Sequence, residues 1–270
     1  MKHYPRVLTI AGSDSGGGAG IQADIKSISA TGSYAASAIT AVTVQNTTGV
    51  MDVHAVPTGI IAAQIDAVLS DIGADAIKIG MLHNAEVVMA VRDRLLFHHA
   101  ANNVLDPVMV STSGHVLIEE SAIQVLRDEL IPIATVITPN IPEAEILAGE
   151  KICCQSDLPR MARKLSCGGK VSVLMKAGHM TEDEVVDIFY NAVEDHCIEL
   201  RSQRISTPNT HGTGCTLSSA LASFLAQGKS LDDAARSAKD YINAAIVSGA
   251  GYEIGHGHGP VDHFHAFRGR

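Results

Sequence analysis

Short apolar runs recur along the chain, separated by longer stretches whose apolar positions fall three and four residues apart. The first pattern is that of strands and the second that of amphipathic helices. The periodicity predicts strands over residues 7–12, 36–45, 74–81, 103–110, 135–139 and 172–176. It predicts helices over 21–30, 59–70, 85–97, 119–129, 141–148 and 158–165, with two more over 214–226 and 231–248. Runs such as 7–10, 77–79 and 171–174 are almost continuously apolar, as in strands buried on both faces of a parallel sheet. Strands alternating with helices predict an α/β fold. Residues 185–191 and 197–205 differ: they are strand-like runs joined through Glu194-Asp195 and predict an antiparallel hairpin at one sheet edge. No linker, repeat or low-complexity segment interrupts residues 1–270, so one domain is expected.

Composition narrows the function. With 46% hydrophobic and 18% charged residues the chain can build a full core and is not a disordered segment. A formal charge of -9 excludes a protein whose whole surface grips nucleic acid. No Trp and only 5 Phe and 5 Tyr leave few stacking platforms for single strands. No run reaches the roughly 18 apolar residues of a membrane span, and residues 7–11 are too short for a signal-peptide core. Five cysteines, odd in number and without a C-x-x-C pair, suit a reduced, cytoplasmic protein. Cys153-Cys154 reads as buried or loop thiols, and His98-His99 as the end of a helix.

The richest local chemistry lies in Asn209-Thr210-His211-Gly212-Thr213-Gly214-Cys215-Thr216, where a loop opens a helix. Glycines allow close backbone approach, and the unpaired N–H groups of a helix start form an anion hole. Cys215 falls in the first turn, where the same field is expected to lower its pKa; it could be a base, a nucleophile or a small core residue. A second glycine loop, residues 11–20, follows the first strand, but its spacing is neither G-x-G-x-x-G nor a P-loop. Asp24 and Gln45 stand near the ends of neighbouring elements, and a Gln amide can read an aminated nitrogen ring as it reads adenine. Three further fragments fall at strand ends, where α/β sheets bind ligands: Leu105-Asp106-Pro107-Val108, Thr138-Pro139-Asn140-Ile141-Pro142-Glu143 and Met175-Lys176-Ala177-Gly178-His179. Their carboxylates suit Mg²⁺, usually through water, and their lysine suits phosphate. The tail from Gly255 to His265 carries four histidines, but no element fixes their geometry, so no specific metal site is expected.

Taken in order, residues 11–20, Asp24, Thr43-Val44-Gln45-Asn46, Lys78-Ile79-Gly80-Met81, Asp106-Pro107-Val108, residues 138–143, Lys176-Ala177-Gly178-His179 and residues 210–216 resemble the hydroxymethylpyrimidine/phosphomethylpyrimidine kinases of thiamine biosynthesis, the ThiD type of the ribokinase superfamily. The resemblance covers nearly the whole chain. It implies a ribokinase-like three-layer sandwich, a central mostly parallel sheet with helices on both faces. It implies ATP- and Mg²⁺-dependent phosphorylation of 4-amino-5-hydroxymethyl-2-methylpyrimidine and then of its monophosphate. By the same resemblance Gln45 and Asp24 bind the aminopyrimidine, and Gly12, Met81 and Val108 line its pocket. Asp106 and Glu143 serve the metal–phosphate region with Asn140 beside them, and His211 is a further cofactor-binding residue. Lys176 contacts the phosphates, Gly212, Thr213 and Gly214 form the anion hole, and Cys215 stands where sugar kinases carry a catalytic Asp. The family is usually dimeric, so a homodimer is expected. The nearest alternative is a pyridoxal or pyridoxine kinase of the same superfamily, or an enzyme with both activities. A nicotinamide-dependent oxidoreductase fails on the glycine spacing, and a non-catalytic binding protein would be expected to lose Lys176, Glu143 or the anion hole.

Overall fold

In the computed structural model, residues 2–110, 117–178 and 184–268 are described. His179, quoted above with Lys176, lies outside them. The apolar strands form one nine-stranded sheet in the order β3-β2-β1-β4-β5-β6-β7-β8-β9. These are β1 (Arg6–Asp14), β2 (Tyr34–Asn46), β3 (Gly49–Ala55), β4 (Ala76–Ile79), β5 (Asn103–Leu105), β6 (Val136–Ile137), β7 (Ser172–Met175), β8 (Glu184–Asn191) and β9 (His196–Gln203). The six strands from β2 through β1 and β4 to β7 are parallel, whereas β3 at one edge and β8 at the other run opposite to them, and β9 pairs antiparallel with β8.

Alternate residues of the parallel strands point to two separate cores. Leu8, Ile10, Ile77, Ile79, Leu105, Ile137 and Val173 meet α2 (Thr58–Asp71), α3 (Ala85–Phe97), α4 (Glu120–Val125), α5 (Ile141–Ala148) and α6 (Leu158–Leu165). Val7, Ala76, Val104, Val136 and Leu174 meet α1 (Gly20–Ala30), α7 (Thr213–Ala226) and α8 (Leu231–Gly249) on the opposite face. The crossover from β1 through α1 thus lies on one face and that from β3 through α2 on the other. Strand order reverses at β1 and β4, the switch point beyond whose carboxyl ends α/β sheets leave a ligand crevice.

The expected elements are present, with three differences. Strand β3 carries no buried residue, so it left no alternation to read and forms by pairing along β2. The expected strands 103–110 and 135–139 end early: Asp106 and Thr138 still donate to the Ile79 and Leu105 carbonyls at 2.9 Å, but Pro107 and Pro139 have no N–H to continue the ladder. The helix expected over 119–129 is α-helical only to Val125, then widens into a π turn, Leu126–Leu130. His98 caps the end of α3 as expected, and Cys153 and Cys154 are exposed thiols. Among the described residues no helix is long and apolar enough to cross a membrane.

Candidate active site

The pleat of the sheet explains where the polar groups gather. Side chains alternate with period two, so residue i+2 shares the face of residue i. On the α7 face, Val7 is followed by Thr9, Ala76 by Lys78, Val104 by Asp106, Val136 by Thr138 and Leu174 by Lys176. Five adjacent strands therefore end this core with a row of polar residues under the first turns of α7.

At the outer end of the row, Lys176 Nζ donates to Asp106 Oδ1 at 2.7 Å and lies 3.9 Å from Glu143 Oε2. Thr138 Oγ1 donates to the same Asp106 oxygen at 3.0 Å. Glu143 and Asn140 form a reciprocal capping box at the start of α5, the Asn140 N–H reaching Glu143 Oε2 at 2.8 Å. Burial would raise the Asp106 carboxyl, but Lys176 and Lys78 outweigh it and hold it below the usual range. Burial dominates at Glu143, and Asp106 beside it adds to the effect; despite Lys176 the carboxyl is pushed up to about 7. Lys176 itself is raised: burial opposes its charge, but Asp106 and Glu143 prevail. A Cβ on Gly214 would stand 3.2 Å from Lys176 Nζ and 3.3 Å from Asp106 Oδ2, so the backbone at the start of α7 closes over this cluster.

That helix start leaves its first N–H groups without a side-chain cap, an arrangement that can accept an anion. Its N-cap is Gly212, at φ 79°, and no side chain caps the helix. A Cβ at Gly212 would fall 1.8 Å from the Gly18 carbonyl oxygen, so glycine is required both by conformation and by the approach of the second glycine loop. Thr213, Gly214 and Cys215 are partly buried around the opening. The expected acidic shift of Cys215 is reversed: burial drives the thiol up to about 11, with Lys78 opposing and Asp24 and Asp106 reinforcing the rise. In this setting desolvation exceeds the benefit of the helix terminus.

On the other side of Cys215, Asp14 organises the glycine loop. Its Oδ1 accepts the Gly16 N–H at 2.8 Å and its Oδ2 the N–H groups of Gly18 and Ala19 at 3.0 and 2.8 Å. His211 Nε2 lies 2.9 Å from the same oxygen. Burial would raise the Asp14 carboxyl, but these partners hold it below the usual range. His211 thus binds the two glycine loops together on the crevice side. Gln45 is on that side too: its Oε1 accepts from Thr43 Oγ1 at 3.0 Å, and its Nε2 is 3.4 Å from His211 Nε2. Gly12 and Met81 adjoin, since a Cβ at Gly12 would be 3.1 Å from Met81 Sδ. Val108 is half-buried beyond β5. The tail crosses this side, with the His258 N–H on the Thr47 carbonyl at 2.9 Å and the His211 N–H on that of Gly259 at 3.1 Å. A His–carboxylate triplet with metal-ligand spacing is found at Glu194, His196 and Asp232, on the β8–β9 turn and the start of α8, not in the tail.

Asp24 does not face the crevice. It is fully buried, and both its oxygens are bonded to Thr9, Lys78 and Ser219. Direct contact with a ring amine is therefore a role this geometry does not offer it. Sequence reading assigned no role to Asp14, Thr138 or Ser219. Asp14-Ser15-Gly16 is a side-chain-closed turn in retrospect, and Lys78 inside an apolar strand was the signal of a paired buried charge.

The family model for phosphomethylpyrimidine kinase matches residues 14–262. The chain belongs to this family. It is 48% identical to the hydroxymethylpyrimidine/phosphomethylpyrimidine kinase of Rhizobium meliloti over 96% of each chain. It is also 48% identical to the thiamine biosynthesis bifunctional protein of Geobacter sulfurreducens, over 96% of this chain but 53% of that one, so it spans about half of that relative. Among solved structures, an ADP complex of Bacillus subtilis pyridoxal kinase superimposes with a TM-score of 0.90 at 34% identity, covering 98% of this chain and 100% of that one. The ribokinase-like α/β architecture expected from the sequence is the one observed.

Proposed function

We propose that this chain phosphorylates the hydroxymethyl group of 4-amino-5-hydroxymethyl-2-methylpyrimidine, and then the resulting monophosphate, with ATP as donor. The observation that carries this reading is the end-to-end identity with a kinase named for both substrates. The polar row supports it with a place for each part. The pyrimidine would lie in the crevice between Gly12, Gln45, Met81 and Val108, and the triphosphate would approach Lys176 and the amides at Gly212, Thr213 and Gly214.

In each step a bond forms from the acceptor oxygen to the γ-phosphorus as the bond to the ADP oxygen breaks. Such transfer is governed by positioning and charge neutralisation. Lys176 can exchange Asp106 for a phosphate oxygen, and the α7 amides would bind the transferred group. The donor set also fits magnesium: Asp106 and Glu143 offer hard carboxylate oxygens side by side, with Asn140 adjacent. Bound there, the ion supplies neutralisation of the triphosphate. Cys215 would stand at the acceptor hydroxyl in the first step. Held as a thiol, it must lose its own proton before taking another, so its contribution as a base is modest.

The reading is that of a one-domain enzyme acting on small molecules, a homodimer in the cytoplasm; sedimentation equilibrium checks the dimer. A second reading, pyridoxal phosphorylation, is favoured by the close superposition on a pyridoxal kinase. ADP release with Mg-ATP decides between them when hydroxymethylpyrimidine, its monophosphate, pyridoxal and ribose are compared. Turnover of both pyrimidines with slow pyridoxal is expected. Turnover of pyridoxal alone overturns the first reading, and no release with any acceptor overturns both.

A further inference from the structure

The row beneath α7 holds a second charged pair that no ligand can reach. Lys78 and Asp24 side chains are both 0% exposed and lie 2.9 Å apart. Asp24, on α1, accepts Thr9 Oγ1 of β1 at 2.6 Å, Ser219 Oγ of α7 at 2.7 Å and Lys78 Nζ of β4 at 2.9 Å. Four elements thus meet at one carboxylate. Space for the ammonium exists because residue 80 is glycine; a Cβ there would stand 2.7 Å from Lys78 Nζ. Ser219 lies one helical turn beyond Cys215, on the same face of α7. The carboxylate therefore holds the part of the helix that carries the thiol and the anion-binding amides.

Nothing in phosphoryl transfer calls for a buried pair at this depth, and sealing two charges away from water is costly unless geometry is gained. We infer that Lys78 and Asp24 are positioning residues which, through Ser219, fix the first turn of α7 and so place Gly214 and Cys215 against the acceptor and the transferred phosphoryl group. This rests on the kinase reading for its catalytic consequence. The Lys78 ammonium also faces Cys215 and Asp106, where it favours their ionised forms. Misplacing such a turn by about an ångström is enough to cost up to about a hundredfold in rate.

The test compares two serines on one helix. Ser219→Ala removes the tie to Asp24. Ser223→Ala removes an equally buried tie at the other end of α7, where Ser223 Oγ meets Thr31 Oγ1 at 2.7 Å and Ser33 Oγ at 2.8 Å. Both variants should unfold cooperatively. Ser219→Ala is expected to lower kcat on the pyrimidine monophosphate about tenfold or more with KM changed less than about twofold, and Ser223→Ala to leave kcat within about threefold. Alkylation of Cys215 by iodoacetamide, read by peptide mass, should change in rate in Ser219→Ala and not in Ser223→Ala. Equal loss of kcat in the two variants, or no loss in Ser219→Ala, overturns the inference. If the unmodified chain releases no ADP with either pyrimidine, the kinase reading fails instead; the alkylation rates then decide, and equal rates in the two variants overturn the positioning of α7.

Discussion

Lys176–Asp106 and Lys78–Asp24 are chemically the same pair, set on the same face of the same sheet, and both sense Cys215. They differ in what surrounds them. The first retains 15% exposure at the lysine and has Glu143 as a second carboxylate neighbour. The second has none, and its carboxylate is saturated by hydroxyls from β1 and α7. A pair with an open side can trade one partner for a phosphate. A sealed pair can only hold the elements that donate to it. Reach, rather than charge, separates a binding group from a scaffold group.

The largest expected effect follows from the open pair. Lys176→Met should lower kcat/KM for ATP by about a thousandfold, or about 4 kcal/mol, in both phosphorylations, because the charge facing the triphosphate is lost. Its melting temperature should fall less than that of Lys78→Met, because Asp106 keeps the Thr138 hydroxyl and the nearby Lys78 ammonium. Steady-state kinetics with ATP varied, alongside a thermal melt, checks both statements; a large loss of stability with intact kinetics would merge the two pairs into one class.

The sealed pair should behave in the opposite way. Lys78→Met leaves Asp24 charged and buried with hydroxyl partners alone, at a cost of about 3 kcal/mol in unfolding free energy. Lys78→Met combined with Asp24→Asn should recover most of that loss, since no uncompensated charge remains. Urea unfolding of the single and double variants reads the difference. Equal instability of the two would mean that packing, not charge, dominates there.

Much of this was legible in the chain. The almost continuous apolar runs located β1, β4 and β7, and Asp106, Thr138 and Lys176 were visible in the fragments at strand ends. The helix start at Gly212–Cys215 was legible because two glycines around a Cys are explained poorly by packing. What failed has a common cause. The direction of the Cys215 shift and the seclusion of Asp24 both depend on contacts between residues over a hundred positions apart, such as Asp24–Ser219 and Lys78–Cys215. Local sequence carries no information on whether a polar group at a strand end faces the crevice or the underside of a helix. Strand β3 escaped for a different reason: an exposed edge strand has no inward face to alternate.

His263 sharpens the comparison, since it is as sealed as Lys78 but lacks a saturating carboxylate contact. It is 4% exposed, and its Nε2 is 3.1 Å from Thr216 Oγ1, next to Cys215. Burial, helped by Lys26, pushes it down to about 4, whereas Asp24 more than offsets burial at Lys78 and raises it. Its folded pKa is depressed, so the unfolded chain takes up the proton first as pH falls. Stability should therefore decline from about pH 6.5 to about pH 4, by on the order of 3 kcal/mol. His263→Gln should flatten that part of the profile in denaturant titrations. An unchanged slope would show that the proton is accommodated in the fold.

The smallest effect concerns the residue between the two pairs. In the first step the acceptor is a hydroxyl whose proton must go somewhere. In the second it is a phosphate already ionised, for which no strong base is needed. A thiol near pKa 11 is a reluctant acceptor, and a loose transition state places little demand on one. Cys215→Ala should accordingly slow phosphorylation of hydroxymethylpyrimidine by about tenfold and that of its monophosphate by less than about threefold. ADP release measured separately for the two acceptors gives the ratio. Equal losses would assign Cys215 to the shape of the anion hole, and the sealed pair beneath it would then serve the amides of α7 rather than the thiol.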